Sequence, residues 1–160
     1  TEDVGNLVLG NNYKQTQALS LAERRARERQ GEYKRLMAAL EAAGKLDRAL
    51  EFLPSEEELN ERATKGQGLT RPELSVLISY SKIELQEALI KSDITDDEYL
   101  SREMETAFPP RLAQEYGEAM RRHRLKREIV STQIANDLVN HMGITFVQRL
   151  KESTLSLIHI

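Results

Sequence analysis

Cysteine is absent from this 160-residue sequence, and disulfides and thiolate chemistry are absent with it. That suits a cytoplasmic protein. Tryptophan is missing too, and aromatic residues make up only 5%. The Ala, Leu, Glu and Arg that take their place favour helices over sheets, because unbranched side chains lose little rotamer freedom in a helix. No apolar run approaches the roughly 20 residues needed to cross a bilayer, and no charged n-region with an apolar h-region opens the chain. No membrane partner is expected. An excess of positive charge is also lacking: 23 Lys and Arg stand against 26 Asp and Glu, for a net charge of -3. A general nucleic-acid binder is therefore a poor fit, and no nucleic-acid partner is expected.

Motifs of catalysis are wanting in the same way. His123, His141 and His159 have no metal-ligand spacing, and no HExxH pattern occurs. Gly66-Gln67-Gly68 begins like a dinucleotide fingerprint, but Arg71 stands where the third glycine belongs and no βαβ unit surrounds it. Carboxylates are plentiful but fall on the exposed faces of the expected helices. The residues themselves therefore give no catalytic, cofactor-binding or metal site. The chain opens at Thr1, without Met, inside a segment with helical pattern, and reads as a piece of something longer.

What is present is a series of helix punctuators. Four Ser/Thr-x-x-Glu boxes occur, at Ser20/Glu23, Ser55/Glu58, Thr70/Glu73 and Thr95/Glu98. In such a box the hydroxyl accepts from the third residue's N–H while the Glu reaches back to the cap N–H, and a cap contributes about 1 kcal/mol. Helices are predicted over 2–14, 20–43, 56–65, 71–91, 96–106, 111–122, 125–142 and 145–152, with a turn at 46–52. Gly44, Gly66, Gly68 and Gly143 are the expected stops, and Pro109 and Pro110 precede a helix start where missing donors matter least. Linkers are short, so the expectation is one all-α domain over 1–152, an irregular bundle of about seven to eight helices. Residues 153–160 form an atypical, oddly apolar tail, read as a boundary outside the native domain and given no function.

Leu74, Leu77, Ile78, Ser81, Leu85 and Leu89 form one stripe at helical spacing and should face a core. On the helix from Leu125, the stripe Leu125, Ile129, Thr132, Asn136, Val139 is half polar, and Val130, Ile134 and Leu138 lie on a second stripe. That pattern predicts a central helix touched from both sides. Asn136 and Asn140 stand one turn apart. Either they line a polar pocket, or, as is commoner for buried amides, they satisfy each other or neighbouring helix caps. A pocket for a small ligand or effector would need convergent polar groups that the sequence does not locate. His123, Arg124 and Arg127 belong to a basic cluster over 121–127. It reads as cations at a helix junction, with contact to an anionic partner by an independent interaction module as the alternative. In the run Arg24–Arg35, pairs such as Glu23–Arg27 and Arg24–Glu28 suggest a solvated face.

Several irregular runs carry more than composition does: QTQALSLAERRA (Gln15–Ala26), LDRALEFLPSEEEL (Leu46–Leu59), GLTRPELSVLISYSKI (Gly68–Ile83), FPPRL (Phe108–Leu112) and HRLKREIVSTQIANDLVN (His123–Asn140). Together they resemble the region C-terminal to the catalytic domain of the large NAD-specific glutamate dehydrogenases of bacteria. The resemblance runs from near Val4 to about Glu152. It implies a parent enzyme that oxidises L-glutamate to 2-oxoglutarate and ammonium, passing a hydride to NAD. It also implies that this chain packs on the remainder of that enzyme within a homo-oligomer, in a scaffold, oligomerisation or regulatory role. The family's dinucleotide fold and glutamate-binding lysines lie in a segment absent here. No catalytic residue carries over, and this fragment is expected to bind no cofactor and to be inactive alone.

Overall fold

The computed structural model describes residues 2–158, with side chains through Thr154. His159 lies outside the described residues. Among them every regular element is helical: α1 (Glu2–Arg24), α2 (Gln30–Ala42), α3 (Glu56–Thr64), α4 (Arg71–Lys91), α5 (Glu103–Thr106), α6 (Pro110–Arg121), α7 (Lys126–Met142) and α8 (Phe146–Ile158). Short 3-10 turns occur at Asp93–Asp96 and Leu100–Arg102. The all-α expectation holds. No helix among these residues is long and apolar enough to cross a membrane.

Packing divides the chain into two units. One combines Gln17–Ser81 with the residues from Met142 onward; the other combines the residues up to Thr16 with Lys82–His141. In the first, α2 packs against α3, and the unit's buried side chains are mostly aliphatic. Leu36, Met37, Leu40, Leu59, Leu74, Leu77 and Ile78 are all shielded from solvent, each such burial contributing roughly 1.5–3 kcal/mol before entropy is subtracted. Most of the buried polar groups of this unit are satisfied, the exception being Arg48 Nε, which is buried without a hydrogen-bond partner. Gln30 Nε2 donates to the Leu59 carbonyl at 2.7 Å, and Ser81 Oγ donates to the Ile144 carbonyl at 2.7 Å.

The predicted break near residues 15–19 does not occur. α1 runs on to Arg24, and the chain turns instead at 25–29 before α2 begins. The cause lies forty residues away in sequence. At Gly68 a Cβ would sit 2.6 Å from the Ala26 carbonyl carbon and from the Arg27 nitrogen, so two backbones meet there and only glycine fits. Gly44, Gly66 and Gly143 have the positive φ expected of helix stops, but Gly68 does not; its role is packing. The turn also removes the helical spacing behind the predicted Glu23–Arg27 and Arg24–Glu28 pairs. Glu23 instead accepts from Arg71 at 3.1 Å, while Arg24, Arg25 and Arg27 remain exposed.

Two of the four Ser/Thr-x-x-Glu boxes act as caps. Ser55 Oγ accepts from Glu58 N while Glu58 accepts from Ser55 N, the full reciprocal box. Glu73 accepts from Thr70 N at 2.7 Å and also from Arg62 at 2.9 Å. The other two hydroxyls are used as acceptors for arginine. Ser20 takes a bond from Arg71 at 3.1 Å, and Thr95, fully buried, takes one from Arg127 Nε at 3.0 Å.

In the second unit a smaller core forms around Met104, Met120 and Val130, with Phe108, Ala113, Ile129 and Ile134 packed on it, and α5 packs on α6. The helix predicted over 96–106 is broken into short pieces. Asp97 Oδ1 accepts from the backbone of Tyr99 at 2.9 Å and of Leu100 at 3.0 Å, a local alternative to helical bonding. Pro110 sits at the start of α6, as expected. On α7 both predicted stripes are partly buried, through Ile129 and Val139 on one and Val130 and Ile134 on the other, while Leu138 and, just before the helix, Leu125 are exposed. The fully buried face of α7 runs through Val130, Ser131, Ala135 and Val139, where small side chains leave room for close approach.

Candidate functional site

The basic cluster over 121–127 is largely committed to internal bonds. Arg121 pairs with Glu105 at 3.2 Å, and Arg122 pairs with Glu118 one turn back on α6. Arg127 makes three contacts: Nε to Thr95, an amino group to the Ser92 carbonyl at 2.8 Å, and an ion pair to Asp96 at 3.0 Å. His123 accepts from Leu125 N at 3.1 Å through Nδ1, folding the junction between α6 and α7 back on itself. Arg124 alone of the three candidates is exposed without such a contact. Guanidinium groups tied to carboxylates and carbonyls stitch this junction together, and they offer few free charges to an outside anion.

Asn136 and Asn140 have a different setting. Both line a cleft of about 500 Å³ in the unit formed by residues up to Thr16 and Lys82–His141. Amides dominate its walls: Asn6, Asn11, Asn12 and Gln15 come from α1, and Gln133, Asn136 and Asn140 from α7. The expectation that the two α7 asparagines satisfy each other fails at Asn140, whose Oδ1 is buried with no hydrogen-bond partner. Such an orphaned acceptor costs free energy on the order of 1–3 kcal/mol.

Two lysines enter the same cleft. Lys14 Nζ is paired with Asp137 at 3.2 Å. Lys82, on α4, is half-buried and donates to Gln15 Oε1 at 2.7 Å. Burial alone holds its ammonium below the usual lysine value, with no carboxylate offsetting the loss of water. Nearby, Gln86 Nε2 donates to Thr132 Oγ1, which donates in turn to the Glu128 carbonyl, so Thr132, the other polar position of the predicted α7 stripe, is internally satisfied. The walls thus present two lysines, the carboxylates of Asp137 and Glu103, a set of amides and one unfilled acceptor, groups that can bind and orient a polar ligand.

The sequence reading located Asn136 and Asn140 but missed Lys82, the charged group they converge with. A signal was available: an asparagine-rich α1 and an amide at i, i+3 and i+7 on α7 each make one hydrophilic helix face, and a polar face on a helix with buried neighbours needs a polar counterpart.

Among the described residues, no group of three or more acidic or histidine side chains could hold a metal ion. Nor does the Gly66–Gly68 turn fit a dinucleotide's phosphates. It joins two helices instead of following a strand, and Gly68 is filled by the Ala26–Arg27 backbone where a phosphate would have to approach.

Comparison with known proteins gives one consistent answer. The family model described as glutamate dehydrogenase, C-terminal, matches residues 66–158. An NAD-specific glutamate dehydrogenase of Pseudomonas aeruginosa is 80% identical over 154 residues, covering 96% of this chain and 10% of the relative. The protein of the same name from Halomonas elongata is 57% identical over 154 residues, with the same coverage. That from Mycobacterium tuberculosis is 34% identical over 152 residues, 95% of this chain and 9% of the relative. The chain thus spans about a tenth of the length of these relatives. By sequence, the chain belongs to the glutamate dehydrogenase C-terminal family.

Proposed function

We propose that this chain is the helical C-terminal part of a large NAD-dependent glutamate dehydrogenase, with a scaffold, oligomerisation or regulatory role and no active site of its own. The parent reaction is oxidation of L-glutamate to 2-oxoglutarate and ammonium with reduction of NAD, carried out by residues outside this chain. The observation that carries this reading is the 80% identity, over nearly the whole chain, to a protein named as an NAD-specific glutamate dehydrogenase and ten times its length. Surface composition supports it. Val8, Leu9 and Tyr13 on α1 are exposed, and so are Leu50 and Phe52 on the 46–52 turn. Phe52 also holds a φ of 54°, which is uncommon for an aromatic side chain. Exposed apolar side chains of this kind suit contact with the remaining nine tenths of a cytoplasmic, homo-oligomeric enzyme.

The arginine contacts at 121–127 support this reading over an independent module that grips an anionic partner. The test is direct. The purified 160-residue chain should give a helical circular dichroism spectrum and no glutamate-dependent NADH formation. Turnover in a preparation freed of host dehydrogenase would overturn the assignment of chemistry to the rest of the enzyme.

A further inference from the structure

We infer that the amide-lined cleft of Lys82, Asn136 and Asn140 is a binding site for a small carboxylate that also carries a hydroxyl or amino donor. Its volume of about 500 Å³ falls within the roughly 300–1,000 Å³ usual for small-molecule sites. The charge requirement follows from Lys82. Its ammonium is half-buried and bonds only to a neutral amide, Gln15, whereas Lys14 across the cleft already has Asp137. A desolvated cation without a counterion favours whatever anion can reach it.

A single negative charge fits better than a multiply charged phosphate. Only one cation is uncompensated, and Glu103 lines the same cleft, so a second negative charge would meet repulsion. The donor requirement follows from Asn140, whose buried Oδ1 lacks any partner and is satisfied by an N–H or O–H of the bound molecule. Asn136, one turn away on α7, supplies an amide to the ligand's oxygens. The inference concerns binding and stands whether this chain acts as scaffold or regulator.

Amine acetylation of the intact dehydrogenase carrying this segment, read by peptide mass spectrometry, tests it at the residue itself. Lys82 acetylation is followed at constant ionic strength with lactate, propionate or inorganic phosphate present, and Lys91, exposed on the same helix, is the internal control. Lactate should slow labelling of Lys82 and leave Lys91 unchanged. Propionate, which lacks the hydroxyl, should protect with about fivefold lower affinity, the scale of one hydrogen bond. Asn140→Ala should erase that difference while keeping the weaker protection common to both acids. Equal protection by phosphate would reduce the cleft to a general anion contact and overturn the carboxylate assignment. Labelling of Lys82 that no acid slows, or a Lys82 unreactive from the start because the rest of the enzyme covers it, would overturn the site.

Discussion

The two units solve the same packing problem with different materials. Of the twenty-one buried apolar residues among those described, fifteen lie in the unit of Gln17–Ser81 and the residues from Met142 onward, and six lie in the other. The first is closed by leucines at helical spacing; its buried Gln30 and Ser81 donate to carbonyls and its buried Thr145 to Glu32, leaving Arg48 Nε as its unpartnered buried atom. The second has a small methionine–valine core and devotes much of its inner surface to amides, an uncompensated lysine and an orphaned acceptor. Aliphatic burial stabilises; an unfilled polar cleft does not. The difference sets a region closed mainly by aliphatic packing against one whose inner surface is largely polar.

The sharpest way to break this contrast is to cut into the leucine core. Leu77→Ala or Ile78→Ala should destabilise the chain by about 2–4 kcal/mol, the range for truncating fully buried aliphatics; both side chains are 0% exposed. Leu138→Ala, on the exposed side of α7, should change stability by less than about 0.5 kcal/mol. Urea unfolding of the three variants decides it, and similar losses in all three would erase the distinction between the units.

Next in size is Gly68→Ala. The added methyl meets backbone atoms of Ala26 and Arg27 at 2.6 Å, and backbone cannot rotate aside as a side chain can. A loss of about 1–3 kcal/mol is expected, as for other overpacked sites. Gly10→Ala, with nothing within 4 Å, should be neutral or slightly stabilising because alanine is the better helix former. A Gly68→Ala variant as stable as the parent would mean that the 25–29 turn is not set by this contact.

These cases also show what was legible in the sequence. α4 was readable end to end because its stripe, its Thr70/Glu73 box and its flanking glycines agree; Leu74, Leu77, Ile78, Ser81 and Leu89 are all buried. The α1–α2 break was not, because its cause is a backbone contact from Gly68, remote in sequence. Ser20 and Thr95 misled for a related reason. A hydroxyl three residues before a Glu is an equally good acceptor for an arginine from another helix, and Arg71 and Arg127 take that option. At the candidate site, the asparagine pair was visible by its spacing, whereas Lys82 had no local mark at all. Its meaning comes from what surrounds it.

Within the basic cluster, the structure divides residues that look alike in sequence. Arg127→Ala should cost about 1–2 kcal/mol, because it strips the buried Thr95 hydroxyl and the Ser92 carbonyl of their donor. Arg124→Ala, with no such contact, should lie within about 0.5 kcal/mol of the parent. A triple Arg124→Ala, Lys126→Ala, Arg127→Ala variant should therefore lose stability rather than any nucleic-acid affinity. A salt titration in which the parent chain binds DNA or RNA at micromolar levels and the triple variant does not would promote the interaction-module reading.

The smallest expected effect is the most telling for the comparison. Lys82→Met keeps most of the aliphatic stem and removes a charge held at a loss, so its stability at neutral pH should stay within about 0.5 kcal/mol of the parent or rise. The pH dependence carries the sign. Because burial lowers the folded-state value of Lys82 below its unfolded one, the unfolded chain binds more protons between those two values. Stability attributable to this residue therefore rises as pH climbs through that alkaline window, and below it the cost of the buried charge is constant. Lys82→Met should lack that alkaline gain. Chemical unfolding of both proteins from neutral pH to near the ordinary lysine value would show it as a converging difference. If Lys82→Met instead unfolds readily at neutral pH, the bond from Lys82 to Gln15 is a structural tie, and the second unit has no polar surface held open for a ligand.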